Sequence, residues 1–131
     1  MEKRYLSKII ANDNEGLQII SACCAGAEIK VGDIKYLQKN KVFLLCLRRT
    51  KIETENEGKK ITSICKFEFV DSVKSKNIKQ NDINQKLELI TMDYLKKNDN
   101  YEISLIFTNN AYITLSTEII EVTLDDQNKI D

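Results

Sequence analysis

The sequence has no histidine, no proline and no tryptophan, only four glycines, and no excess charge of either sign, since twenty Lys and Arg residues meet twenty Asp and Glu. Each absence excludes something. Without histidine the chain lacks the commonest general base, the commonest metal ligand and the usual neutral-pH switch. A net charge of zero argues against a dedicated nucleic-acid module, which carries a basic excess to neutralise phosphates. The glycines, Gly16, Gly26, Gly32 and Gly58, are isolated, so neither G-x-x-x-x-G-K-[ST], G-x-G-x-x-G nor G-x-S-x-G occurs. Apolar runs fall far short of the ~20 residues of a membrane helix, and none of signal-peptide length follows the start. A bacterial-type, cytoplasmic, reduced-thiol protein is the simplest expectation. The missing proline, together with many Ile, Asn and Lys residues, also fits an AT-rich coding sequence, which explains composition without function.

What is present suits one domain of 131 residues, spanning 1–131. The cysteines Cys23, Cys24, Cys46 and Cys65 show no C-x-x-C spacing, so they read as buried structural thiols rather than a metal or disulfide framework. After a β-prone segment at 5–11, Asn12 and Glu15 have the spacing of a capping box, and Leu17, Ile20, Ser21 and Cys24 share a helical stripe. The spacing predicts a helix over 13–25, stopped by Gly26 in a left-handed conformation. Ile29, Val31, Ile34 and Tyr36 alternate around Gly32-Asp33 as in a tight hairpin. The apolar run 42–47 reads as a central strand covered on both faces. Residues 51–60 read as an exposed acidic loop, 61–70 as a strand, and 72–85 as a long polar connection. A strand over 87–94 precedes a hairpin in which 101–108 and 111–116 meet across Asn109-Asn110. The tail 116–126 is read as a short helix, with Ile, Val and Thr leaving a strand open.

These elements give an α+β domain: a mainly antiparallel curled sheet or small barrel of seven to eight strands, a helix near the N-terminus and a short one at the C-terminus, a layout compatible with a pleckstrin-homology-like barrel.

No catalytic constellation stands out. Glu53, Glu55 and Glu57 lie in a loop that cannot hold carboxyls at fixed separation, and the aromatics Phe43, Phe67, Phe69 and Phe107 read as core rather than a stacking platform. Two basic groups remain, Arg48, Arg49 and Lys51 at the end of the central strand, and Lys74, Lys76 and Lys79 further on. Together they form a candidate anion-binding rim, although charge at strand ends is ordinary.

Several segments in order resemble a known family: Asn14-Glu15-Gly16-Leu17-Gln18-Ile19-Ile20, Val31-Gly32-Asp33-Ile34-Lys35-Tyr36-Leu37, Phe69-Val70 with Val73-Lys74-Ser75-Lys76, and Ile113-Thr114-Leu115 leading to Glu118-Ile119-Ile120-Glu121. Their spacing is similar to that of the alphaproteobacterial domain-of-unknown-function family 2948, over nearly the whole chain. The resemblance implies a small cytoplasmic protein with no assigned activity. This sequence keeps the basic turn at Lys74-Ser75-Lys76 and departs at Arg49-Thr50-Lys51-Ile52, where relatives carry an Arg-Phe-Asp-Trp-like stretch.

The leading expectation is a non-catalytic binding or adaptor domain for a protein or an anionic ligand, acting through a sheet edge or through Arg48, Arg49, Lys74 and Lys76, with no cofactor, metal, nucleic acid or membrane. A small enzyme with a Lys or carboxylate base, such as Asp93, in a barrel mouth is the alternative. A subunit forming homodimers through exposed strand edges is the third reading.

Overall fold

The structure is a computed structural model describing residues 6–52 and 60–130, with side chains described through residue 127. A short strand β1 (Lys8–Ala11) leads into α1 (Asn14–Cys24), the one α-helix among the described residues. The helix is capped by Asp13, whose Oδ1 accepts the Gly16 amide at 2.8 Å, so the capping residue lies one place beyond the expected Asn12. The predicted stripe of Leu17, Ile20, Ser21 and Cys24 is buried. Gly26 has φ +84 and ends the helix as expected.

Nine more strands follow: β2 (Glu28–Lys30), β3 (Ile34–Leu37), β4 (Val42–Thr50), β5 (Lys60–Phe67), β6 (Val70–Lys76), β7 (Lys86–Lys97), β8 (Asn100–Phe107), β9 (Tyr112–Thr117) and β10 (Val122–Ile130). All pairings are antiparallel, in the order β1-β10-β5-β4-β2-β7-β8-β9-β6, with β3 beside β4. The antiparallel curled sheet with an N-terminal-region helix is therefore present, with ten strands rather than seven to eight.

Four expectations need correction. The tail is not a helix: its β-branched residues complete β10, which fills the space between β1 and β5 with Leu124 opposite Ile9 and Cys65. The C-terminal helix on which the pleckstrin-homology-like reading rested is thus a strand. Secondly, Gly32-Asp33 does not turn a hairpin. Residues Val31–Asp33 form one 3-10 turn, and β2 and β3 lie end to end along the same edge of β4, Glu28 opposite Arg48 and Ile34 opposite Leu45. Gly32 is needed instead for close approach, because a Cβ there would stand 3.0 Å from the Ile83 carbonyl oxygen that its amide bonds at 2.9 Å.

Thirdly, β4 is central but buried on one face only, Phe43, Leu45 and Leu47 pointing inward while Leu44 and Cys46 are half-buried. Cys46 is therefore not a buried thiol, unlike Cys23, Cys24 and Cys65. Lastly, the supposed connection at 72–85 begins as β6, an edge strand exposing Asp71, Ser72, Lys74, Ser75 and Lys76, which hid its strand character. In β7 the alternation changes phase at a bulge near Ile90, so that Leu87, Leu89 and then Met92 face inward. The Asn109-Asn110 hairpin is as expected, both residues having φ near +60 (63 and 60) as a type I′ turn requires.

Inward-facing residues from both halves of the sheet and from α1 make one continuous apolar core. From β4 the pairings run through β2, β7, β8 and β9 to β6. Because β3 also pairs β4, these strands trace a ring interrupted between β3 and β6, and the sheet is not closed into a barrel.

Candidate functional site

The interruption is held shut at both ends. At one, the Tyr36 hydroxyl donates to the Val70 carbonyl at 2.9 Å, and the Val70 amide donates to the Lys41 carbonyl at 2.8 Å. Lys41, in a left-handed conformation, holds Asp71 at 3.0 Å and Glu118 at 3.1 Å there, and these bonds, Asp71 first, raise its ammonium above its ordinary range. At the other end the Val31 and Gly32 amides donate to the carbonyls of Gln85 and Ile83, both at 2.9 Å, pinning the segment after β6. Between these ties lies a cleft of about 310 Å³ walled by Val31, Ile34, Phe43, Val73, Ile78 and Ile113.

Register decides what each strand contributes. Ile34 and Tyr36 stand opposite Leu45 and Phe43, and Val73 and Ser75 opposite Leu115 and Ile113, so all four face inward. Lys35, Lys74 and Lys76 occupy the alternate positions and project from the outer face on the two sides of the gap. The polar part of the lining includes Ser75 and Gln80. The Gln80 amide donates to the Ser75 hydroxyl at 3.1 Å, which leaves the hydroxyl its own proton to donate.

The four basic residues expected to form one rim are divided. Lys74 and Lys76 are exposed beside the cleft. Arg48 is exposed on a different part of the surface, where it adjoins Glu28, Lys30, Asp33 and Lys86. Arg49 is fully buried and belongs to no rim. Its Nε donates to Ser63 Oγ at 3.0 Å, its Nη2 meets Asp126 Oδ1 at 3.0 Å, and its Nη1 reaches the Cys23 carbonyl at 3.5 Å. Lys51, read as part of an exposed loop, is buried too, with Nζ 2.9 Å from Asp126 Oδ2.

Ser63 donates to Asp126 Oδ1 at 2.7 Å, and the Ser7 amide to Oδ2 at 2.8 Å. Burial pushes the Asp126 carboxyl up, but the bonds from Ser63, Lys51, the Ser7 amide and Arg49 outweigh it and lower it from 3.8 to about 2. This network ties β4, β5 and β10 to the start of the chain. Asp93, the candidate base, is exposed and accepts its neighbour's amide, Tyr94 N to Asp93 Oδ1 at 2.9 Å. Glu53, Glu55 and Glu57 lie outside the described residues.

Reasoning from sequence missed Lys35, Ser75, Gln80 and the apolar walls of the cleft. A signal was available in Val73-Lys74-Ser75-Lys76, whose alternation is that of a strand with a lysine face.

Fold and cleft define a class: a one-helix domain with a curled antiparallel sheet that stops short of closure and leaves an apolar cleft at the break. Within that class the chain belongs to the family described as a protein of unknown function, DUF2948, whose model matches residues 7–130. No curated protein and no solved structure matches it. Among the described residues, no helix is long and apolar enough to cross a membrane.

Proposed function

We propose that the protein is a non-catalytic binding domain whose site is the cleft between β3 and β6, and that its ligand carries negative charge. One observation carries this reading: among the described residues the ring of strands is broken between β3 and β6, the break opens onto an apolar cleft, and Lys35, Lys74 and Lys76 project from the outer face of the strands beside it. Strand edges left apart expose backbone groups that a ligand or its water shell must satisfy, and a concave apolar wall with a few polar groups is the ordinary form of a small-molecule site. The lysines add long-range attraction for an anion. Arg48 lies elsewhere and Arg49 is consumed by the core, so the binding group reduces to the lysines.

The probe is an anionic amphiphilic dye, 8-anilinonaphthalene-1-sulfonate. Its fluorescence is expected to rise with the native protein, and Lys74→Glu with Lys76→Glu to remove most of the rise while circular dichroism and the thermal midpoint stay unchanged. Arg48→Glu leaves the rise in place. An unaltered signal in the Lys74/Lys76 double variant overturns the reading.

A further inference from the structure

We infer that the ligand is a short aliphatic monocarboxylate, its chain lying in the cleft and its carboxylate at Ser75 and Gln80. The inference rests on the binding reading above and specifies its chemistry. Three observations fix the class. The volume, about 310 Å³, is at the small end of ligand sites, which run from about 300 to 1,000 Å³, so there is room for one short chain and not for a two-tailed lipid.

The wall is aliphatic and aromatic hydrocarbon from five directions, Val31, Ile34, Phe43, Val73 and Ile113, with both ends tied by backbone hydrogen bonds. A chain of methylenes satisfies such a wall, whereas a sugar or nucleotide leaves its hydroxyls unpaired against it.

The polar group inside is equally restrictive. Ser75 has one proton to offer, Gln80 holds it with one of its two amide hydrogens and keeps the other, and no glycine-rich stretch supplies the converging backbone amides that cradle a phosphate. Two neutral donors at the cleft, with Lys74, Lys76 and Lys35 on the outer face of the flanking strands, match a singly charged carboxylate, which takes the Ser75 proton on one oxygen and a Gln80 amide hydrogen on the other while the lysines attract it at long range. Complementarity of charge therefore sets orientation, and the hydrocarbon wall supplies most of the affinity.

The experiment is isothermal titration calorimetry of the full chain with octanoate, hexanoate, butanoate, octylammonium and pyrophosphate. Affinity for the carboxylates is expected to rise about fourfold per methylene, as burial of each predicts. Octylammonium is expected to bind at least tenfold more weakly than octanoate, as is octanoate to the Lys74→Glu/Lys76→Glu protein. Ser75→Trp, at an exposed edge position, blocks the cleft without loading the core and should abolish octanoate binding; Ser75→Thr keeps the hydroxyl and should retain it. Affinity independent of chain length, or equal for octylammonium, overturns the inference. If octanoate fails while pyrophosphate binds in a manner lost on reversing Lys74 and Lys76, the ligand class is wrong and the anion-binding reading stands. If neither binds, both are wrong.

Discussion

At the scale of single residues, the decisive surprise is that the charged groups most visible in the sequence are not those most available to a ligand. Arg49 and Lys51 read as surface charge because nothing local marks them otherwise. Their burial follows from Asp126, 77 residues beyond Arg49, in a tail whose strand pairing brings it beside Ser63. Long-range complementarity of this kind has no signature in a window of sequence. Removing one partner of a buried charge pair leaves the rest uncompensated, so Asp126→Asn is expected to destabilise the protein by about 3–5 kcal/mol in guanidinium chloride unfolding at neutral pH. Because the Asp126 carboxyl is lowered from 3.8 to about 2 on folding, its titration contributes about 2 kcal/mol, present in full above 3.8 and lost as pH falls through 2. The stability gap between the native protein and Asp126→Asn therefore narrows by about that amount in acid. A gap that is constant across this range contradicts the role assigned to Asp126.

The same scale holds a prediction about thiols. The Cys65 thiol is pushed well up, first by its hydrogen bond to Cys24 and then by burial, so it is a poor nucleophile. Cys24 and Cys65 should escape a disulfide-exchange reagent in the folded protein and react only on unfolding. Labelling of both in the native state at the rate of a free thiol would contradict the buried-pair geometry.

At the scale of elements, period and turn chemistry were legible where they act locally. The helix stripe, its glycine stop and the Asn109-Asn110 hairpin depend on neighbours in sequence, and all three stand as expected. A β-branched side chain is strained at φ near +60, so Asn110→Val should cost about 1–2 kcal/mol in thermal or denaturant unfolding, and an unchanged midpoint would argue against the type I′ turn.

What failed was the reading of elements whose character is set by partners. β2 and β3 have the alternation of a hairpin, yet both pair with β4, because the 3-10 turn at Val31–Asp33 docks on the segment before β7 rather than reversing the chain. Gly32→Ala tests that docking. Its methyl group meets the Ile83 carbonyl oxygen at 3.0 Å and Ile83 Cβ at 3.1 Å, so the segment must move, at a cost of about 1–3 kcal/mol and with faster amide exchange at Gly32 and Val31. β6 was hidden by its own exposure, since an edge strand that buries little carries little apolar periodicity. β10 was hidden by ambiguity, Ile119, Ile120 and Leu124 fitting a helical stripe that the neighbouring β1 and β5 override.

At the scale of the whole molecule, the fold class was legible and the break in the ring of strands was not. Counting apolar strands yields a curled antiparallel sheet; it does not say where the curl stops. That depends on how β3, which lies beside β4, and β6, at one end of the pairing order, approach each other, joined by Tyr36 and Val70 but by no ladder among the described residues. The charge balance of the chain conceals the same point. Neutral overall, the protein buries Arg49, Lys51 and Asp126 together and leaves Lys74 and Lys76 outside, so electrostatic character belongs to faces and not to the sum. The central claim is that the break between β3 and β6 is the binding site. Backbone amide chemical-shift mapping by NMR during titration with octanoate tests it most directly. The account predicts shifts concentrated at Ile34, Tyr36, Val73, Ser75, Gln80 and Ile113, absent in Ser75→Trp; shifts centred on Arg48 and Glu28, on the outer face of β7 to β9, or nowhere would contradict it.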